Sequence, residues 1–260
     1  MIEIAFLGSG STGNCAVVRS GRTTLLLDAG LSPRQISVRL GKLGASLDDV
    51  SALLLTHEHS DHVSAAAALA TKRGLPVYAT AGTLAKAGLP GPLFTDLRVV
   101  RDGDEISFGS GDLTVRVTAT PHDGVDPCCY VFASGSGRRA GVATDLGHLS
   151  RNVLAALAGC EVIGLEANHD VDVLREGAYP AFLKKRILSD VGHLSNEAAA
   201  DGLERLVGER TRTLVGLHLS QNNNTPNLAE RALRRGLERL GAQVALELAG
   251  PSAPTGWFRA

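Results

Sequence analysis

Between Leu55 and Val63 the chain reads Thr56-His57-Glu58-His59-Ser60-Asp61-His62, with three imidazoles and two carboxylates in six consecutive positions. Each of these side chains ligates a metal once deprotonated, and imidazole suits zinc and similar transition ions. In a regular helix residues 57 and 59 would lie about 200° apart and could not chelate one ion. A strand end turning into a loop can aim both rings at one point. Asp61 and His62 then open the next helix and can face a second ion. The spacing therefore predicts two metals side by side rather than a polar loop with scattered histidines.

Two ions need more ligands than this loop supplies. His122 follows the alternating run Leu113 to Thr120, at a strand-to-loop corner. Asp145 follows Gly141-Val142-Ala143-Thr144, and an aspartate between two ions can bridge them. His218 ends Leu214-Val215-Gly216-Leu217. Ligands at consecutive strand ends converge on one edge of a sheet, where open α/β folds bind their ligands. His57, His59, His122, Asp145, Asp61, His62 and His218 then make two sites sharing Asp145. Of the other histidines, His148 is a weak candidate, and His169 is expected on an exposed loop. His193 stands just ahead of Ser195, where it would cap a helix or serve the site.

The elements that must hold these residues read as α/β. Ile2 to Leu7 is a first strand. Gly8-Ser9-Gly10-Ser11-Thr12-Gly13 follows, and with Asp28 it spells the dinucleotide fingerprint. That motif needs a helix opening at its third glycine. Here Cys15 to Val18 and Thr23 to Leu27 read as two short strands, so a nucleotide cofactor is not expected and the glycines make a tight loop beside the site. Ser32 caps a helix with Pro33 at its first position, running to about Leu43. Ser51 to Thr56 is a buried strand, Val63 to Thr71 a helix and Pro76 to Ala79 a strand. Thr80 to Ala87 is a helix closed by Gly88 and Pro90. Leu97 to Val100, Glu105 to Phe108 and Leu113 to Thr120 are strands, and Cys128 to Phe132 with Arg139 to Ala143 forms a hairpin. Helices follow near Ser150 to Leu157, Tyr179 to Leu188, Ser195 to Val207 and Pro226 to Leu240. Strands stand at Val162 to Leu165, Thr213 to Leu217 and Gln243 to Leu248. No linker or short repeat interrupts residues 1–260, which predicts one domain of two similar halves, sheets inside and helices outside.

Composition narrows the class. With 44% hydrophobic and 20% charged residues the chain is an ordinary globular protein, and no apolar run approaches the length that spans a bilayer. A formal net charge of −1 gives no bulk support to a nucleic-acid partner, which would need a local basic patch. Lys184-Lys185-Arg186, Arg138-Arg139 and Arg234-Arg235 are the local clusters. Cys15, Cys128, Cys129 and Cys160 form no C-x-x-C pair and are expected reduced and buried. Met1 to Leu7 lacks the basic start of a signal peptide, so a cytoplasmic location is expected.

The order His57-x-His59-x-Asp61-His62, His122, Asp145, His218 resembles the metallo-β-lactamase fold, a four-layer αββα sandwich, over nearly the whole chain. The resemblance implies His57, His59 and His122 on one ion, Asp61, His62 and His218 on the other, Asp145 bridging, and Asp28 as a buried support for the metal loop. Asp61 then counts both as ligand and as catalytic candidate. Phe6 to Cys15, Leu27 to Ser32, Gly192 to Asn196 and His218 to Asn223 are similar to the YycJ/WalJ group of bacterial phosphodiesterases, relatives of tRNase Z. In the tRNase Z pattern a glutamate and a histidine cooperate in proton donation, and Glu166 and His193 fall at those places. The long arm of tRNase Z, the large insertion of β-CASP nucleases and the cysteine ligand of true β-lactamases have no counterpart.

Together these residues imply a dinuclear metal-dependent hydrolase, with zinc as the default ion and manganese compatible with the mixed donors. Two ions about 3.5–4 Å apart can hold a hydroxide between them and bind the oxygens of a phosphodiester. His193 would protonate the leaving oxygen and Glu166 orient its ring. Ser220 and Asn222 either contact substrate or start the helix at Pro226. The resemblance favours an exonuclease with DNA as partner. The alternatives are a small-molecule hydrolase cleaving a cyclic phosphodiester, lactone or thioester, and a non-catalytic metal-binding regulator.

Overall fold

A computed structural model describes residues 1–89, 91, 93, 94 and 96–260. Pro90, expected to help close a helix, lies outside the described residues. The order of elements is β1 (Glu3–Gly8), β2 (Cys15–Ser20), β3 (Thr23–Leu27), α1 (Pro33–Lys42), β4 (Ala52–Leu54), α2 (Ser60–Val63), α3 (Ala66–Arg73), β5 (Val77–Thr80), α4 (Ala81–Lys86) and β6 (Leu97–Val100). There follow β7 (Glu105–Phe108), β8 (Leu113–Ala119), β9 (Cys128–Ser134), β10 (Arg139–Ala143), α5 (Arg151–Leu157), β11 (Val162–Glu166), α6 (Val171–Glu176) and α7 (Ala181–Ile187). The last elements are α8 (Asn196–Leu206), β12 (Thr213–Leu217), α9 (Pro226–Arg239), β13 (Ala245–Leu248) and β14 (Phe258–Arg259).

The strands form two seven-stranded sheets, ordered β14-β1-β2-β3-β4-β5-β6 and β13-β12-β11-β10-β9-β8-β7. Period-two alternation builds the layers, because successive side chains on a strand face opposite ways. In β1, Ile4 and Phe6 enter the core between the sheets, while Ala5 and Leu7 face the outer core under the helices. In β9, Cys128, Tyr130 and Phe132 face inward, whereas Cys129 and Val131 face the helices on the other side. Strands covered on both faces read as continuous apolar runs, which makes them legible in the sequence. The expected αββα sandwich is therefore present, and all four cysteines are free and buried. Among the described residues no helix is long and apolar enough to cross a membrane.

Three local features depart from the expectations. The helix expected over residues 63–71 begins earlier, at Ser60, and is broken at Ser64 and Ala65, where the Ala65 N–H bonds to the Ala29 carbonyl at 2.8 Å. The short helix α6 is an addition; Asp170 caps it, its carboxylate accepting from the N–H groups of Asp172 and Val173. So is β14, which adds antiparallel to β1. At α1 the expected cap is present: Ser32 and Gln35 cap each other reciprocally and Pro33 occupies the first turn.

Parallel pairing of β3 with β4 and of β10, β11 and β12 sends their C-terminal ends to one edge of the sandwich. The segments leaving these ends, with that after β8, carry every histidine and aspartate singled out above as a metal ligand, Asp61 and His62 on the short helix α2.

Candidate metal centre

Among the described residues four non-glycine residues have positive φ, and three of them stand at this edge: Asp28 (59°), Asp145 (57°) and His218 (54°). The left-handed region is uncommon for any side chain, and such strain collects at functional sites. Each of the three lies at or just past the end of a strand, where the sharp turn directs its side chain into the space between the two sheets' loops.

Neighbouring groups fix which nitrogen each histidine turns inward. Thr56 Oγ1 lies 2.9 Å from Asp28 Oδ2 and gives its single proton to that carboxylate. It must therefore accept from His57 Nδ1, 3.0 Å away, which leaves His57 Nε2 as a lone pair. The Gly192 carbonyl accepts from His122 Nδ1 at 2.9 Å, and Asp28 Oδ2 accepts from His62 Nδ1 at 2.8 Å. Glu166 Oε1 takes both His193 Nδ1 (2.8 Å) and His218 Nδ1 (3.1 Å). His59 is reversed. Its Nε2 lies 3.6 Å from Asp123, so Nδ1 faces inward. Partners of this kind set tautomer and ring orientation in metal sites.

The inward nitrogens gather into two groups. His57 Nε2 and His122 Nε2 stand 3.0 and 3.3 Å from His59 Nδ1. His218 Nε2 and His62 Nε2 stand 3.3 and 3.6 Å from Asp61 Oδ2. Asp145 lies between them, with Oδ2 at 3.1 Å from His62 Nε2 and Oδ1 at 3.7 Å from His122 Nε2. Three ring nitrogens converge in the first group, and His57 Nε2 and His122 Nε2 both bring lone pairs to it. In the second, Asp145 Oδ2 is buried and makes no well-aligned hydrogen bond, His62 Nε2 at 3.1 Å being its near neighbour. Such donors repel or go unsatisfied unless a cation joins them, so the residues fit divalent metal ions, and the double grouping is that of a dinuclear site.

The metal-free electrostatics agree. Burial opposes charge on His218, but Asp145, Asp61 and Glu166 outweigh it and raise its pKa to about 10. His62 is likewise buried and is held well above the usual range by Asp145 and Asp28. His57 and His59 are pushed down, by burial first and by neighbouring imidazoles second. Burial would raise Asp145 and Glu166, yet the facing histidines keep Asp145 well below the carboxylate range and Glu166 at about 2. Protons on His62 and His218 do here part of what cations would do.

Several residues stand otherwise than expected. His169 is buried, not on an exposed loop: past the end of β11 it forms an isolated parallel bridge with Ser195, the cap of α8, and neither ring nitrogen has a partner. His148 is exposed, bonded to the Asp190 carbonyl. Ser220 Oγ accepts from the N–H groups of Asn222 and Asn223 and so shapes the turn before α9, while Thr225 caps that helix. Asn222 reaches out to the Tyr179 hydroxyl at 2.8 Å. Arg138 and Arg139 do not flank the centre. They stand at the opposite end of β10, against Glu161 and the carbonyls of Ala156 and Ala158. Arg234 and Arg235 pair with Glu230 and Glu197 on the helical face.

Two participants escape sequence reasoning. Asn14 is buried, and its amide Nδ2 lies 3.2 Å from Asp61 Oδ2 and 3.0 Å from His62 Nε2. Its place at the end of the glycine loop is the available signal, since the loop abuts α2: Asn14 N–H bonds to the Asp61 carbonyl at 2.7 Å. Asp123, adjacent to His122, lies 3.3 Å from that ring and also pairs with Arg186.

Known proteins resemble this one in sequence and in shape. Residues 23–219 match the beta-lactamase superfamily domain. Exodeoxyribonuclease YycJ of Bacillus anthracis is 38% identical over 245 residues, covering 94% of this chain and 92% of its own length. Exodeoxyribonuclease WalJ of Streptococcus pneumoniae serotype 2 is 36% identical over 241 residues, 90% of this chain and 88% of its own. The crystal structure of the metallo-beta-lactamase fold protein YhfI from Bacillus subtilis superposes with a TM-score of 0.73 over 98% of both chains, at 16% identity. With two facing sheets, clustered histidines and aspartates at their common edge, and these relatives along nearly its whole length, the chain belongs to the beta-lactamase superfamily domain family as a metal-dependent hydrolase of the metallo-beta-lactamase fold.

Proposed function

We propose that this hydrolase is an exodeoxyribonuclease working with two divalent ions, zinc by default and manganese as the alternative. His57, His59 and His122 hold one ion, Asp61, His62 and His218 the other, and Asp145 is shared. The observation that carries the reading is the His193–Glu166 pair beside these donors, in a chain more than a third identical to two exodeoxyribonucleases. When bound, the ions supply Lewis acidity toward phosphoryl oxygens and a nucleophile at neutral pH.

The chain's own residues do the rest. Glu166 is fully buried and accepts from the N–H groups of Leu146 (2.7 Å) and Leu194 (3.1 Å), so its carboxylate is fixed in place. It holds His193 Nδ1 and leaves Nε2 free. Burial disfavours the imidazolium, but the Glu166 charge outweighs it and raises the His193 pKa, keeping a proton to give to a leaving alkoxide at neutral pH. Asn14 holds Asp61 against rotation, and Asp28 locks His62.

The test is a digestion time course. Protein stripped with chelator is reloaded with zinc or manganese and given end-labelled duplex DNA, single-stranded DNA and RNA, with His57→Ala as the contamination control. Metal-dependent stepwise shortening of DNA, absent from the control, is expected. Turnover of a small phosphodiester with no cleavage of any polymer would replace the reading by a small-molecule hydrolase.

A further inference from the structure

Helix α7 is tied at both ends to loops that carry metal donors. Just before it, the Tyr179 hydroxyl accepts from Asn222, in the loop that follows His218. At its end Arg186 Nε donates to Asp123, which lies beside His122 and His59. Directly after it, His193 N–H bonds to the Ile187 carbonyl at 3.0 Å, and Gly192 supplies the carbonyl that orients His122. The helix thus lies along the mouth of the centre, fixed against it.

Its outer face has an unusual composition. Phe182 is 75% exposed, and it is the only exposed aromatic side chain among the described residues. Lys185 and Arg186 stand three and four positions on, on the same helical face as Phe182. Both are exposed, and Lys185 has no acidic partner among the described residues. The other two basic doublets are paired with glutamates or carbonyls elsewhere, so of the three clusters this is the one tied to the metal centre, through the Arg186–Asp123 pair, with Lys185 left unpaired among the described residues.

We propose that α7 is a guide for single-stranded DNA, in which Phe182 stacks on an unpaired base next to the scissile phosphodiester while Lys185 and Arg186 meet the flanking phosphates. The inference rests on the nuclease reading above. An exposed aromatic beside cations suits single strands, because every base of an unstacked strand can turn a face to the ring, whereas bases inside a duplex are already covered by their neighbours, and stacking tolerates any sequence. Backbone phosphates supply the complementary charge.

The test compares Phe182→Ala and Phe182→Trp with the parent protein, all metal-loaded, on a single-stranded oligodeoxynucleotide, its RNA equivalent and methyl 4-nitrophenyl phosphate, a phosphodiester without a base. For F182A, KM on the DNA strand is expected to rise about tenfold with kcat nearly kept, relative to turnover of the small ester. F182W should restore it. An unchanged KM in F182A overturns the proposal. Equal losses on DNA and on the small ester would make Phe182 a prop of the metal centre, and a change from oligomer to monomer in light scattering would make it a contact between copies. Preferential loss on the RNA strand would move the guide to RNA. If the parent protein cleaves no DNA, the nuclease reading fails and this inference with it, whereas DNA cleavage indifferent to Phe182 sinks this inference alone.

Discussion

Asp145 and His193 are the residues on which the mechanism divides most sharply. Asp145 is the one carboxylate within reach of both donor groups, and its Oδ2 has no other partner. Asp145→Ala should lower activity by at least about 100-fold and reduce the metal content measured by atomic emission, since the shared ligand is gone. Full activity in that variant would refute the dinuclear assignment. His193 lies outside the two inward groups, its Nδ1 committed to Glu166. His193→Ala should retain both ions yet lose about 10²–10⁴ in kcat, the usual weight of a general acid. Metal loss in H193A would instead make it a ligand. These roles are legible unevenly. His57 to His62 are contiguous, so their ligand density shows in one dimension. Asn14 and Asp123 matter only because loops distant in sequence fold against the donors, and His169 defies its sequence reading because nothing in its neighbours signals the bridge to Ser195, 26 residues on.

At the scale of elements, the site depends on how closely three loops approach. Gly30 N–H bonds to the Asn14 carbonyl, Ala29 N–H to the His62 carbonyl, and Asn14 N–H to the Asp61 carbonyl. A Cβ at Gly30 would overlap the Asp61 carbonyl, which is backbone and cannot swing aside. Gly30→Ala should therefore displace α2 with Asp61 and His62, destabilise the fold by about 1–3 kcal/mol, and weaken metal retention against a chelator. Stability and metal affinity both at the parent level would show that α2 is not seated this way. Asp28→Asn tests the same junction more gently. It keeps the shape but removes the charge that locks His62, and should cost about 10–100-fold in metal affinity by competition titration with a chelator.

The whole molecule concentrates opposing charge at one edge, and this sets its response to pH. In the metal-free protein His218 has a pKa of about 10 against an ordinary 6.5, and His62 is raised as well. A raised pKa contributes stability that is fully present below 6.5 and is lost as pH climbs through the folded value. The thermal midpoint of the metal-free protein should thus fall between about pH 6.5 and 10. On the acid side Glu166, held at about 2 against 4.5, contributes stability that is lost as pH drops through that range. In the proposed ligand set His62 and His218 must be deprotonated to hold metal, so loading should release protons, weaken on acidification and flatten the alkaline loss. Scanning calorimetry of metal-free and zinc-loaded protein across this range checks the sign. A metal-free midpoint that rises toward pH 10 would contradict it.

By itself the sequence determined the sandwich and the existence of a metal centre. Strand burial on both faces imprints continuous apolar runs, and adjacent candidate ligands such as His57, His59, Asp61 and His62 need no tertiary contact to be seen together. Glu166 and His193 were placed through the family pattern that surrounds them, not through spacing. Tertiary structure alone decided which basic cluster meets the site, because Lys184 to Arg186, Arg138-Arg139 and Arg234-Arg235 look alike as strings and differ only in which end of a strand or which face of a helix carries them. It also decided each histidine's inward nitrogen. Apart from His57, whose partner is the adjacent Thr56 hydroxyl, that choice belongs to a carbonyl or carboxylate contributed by another loop, and hydrogen bonds between distant loops leave no periodic trace along a chain.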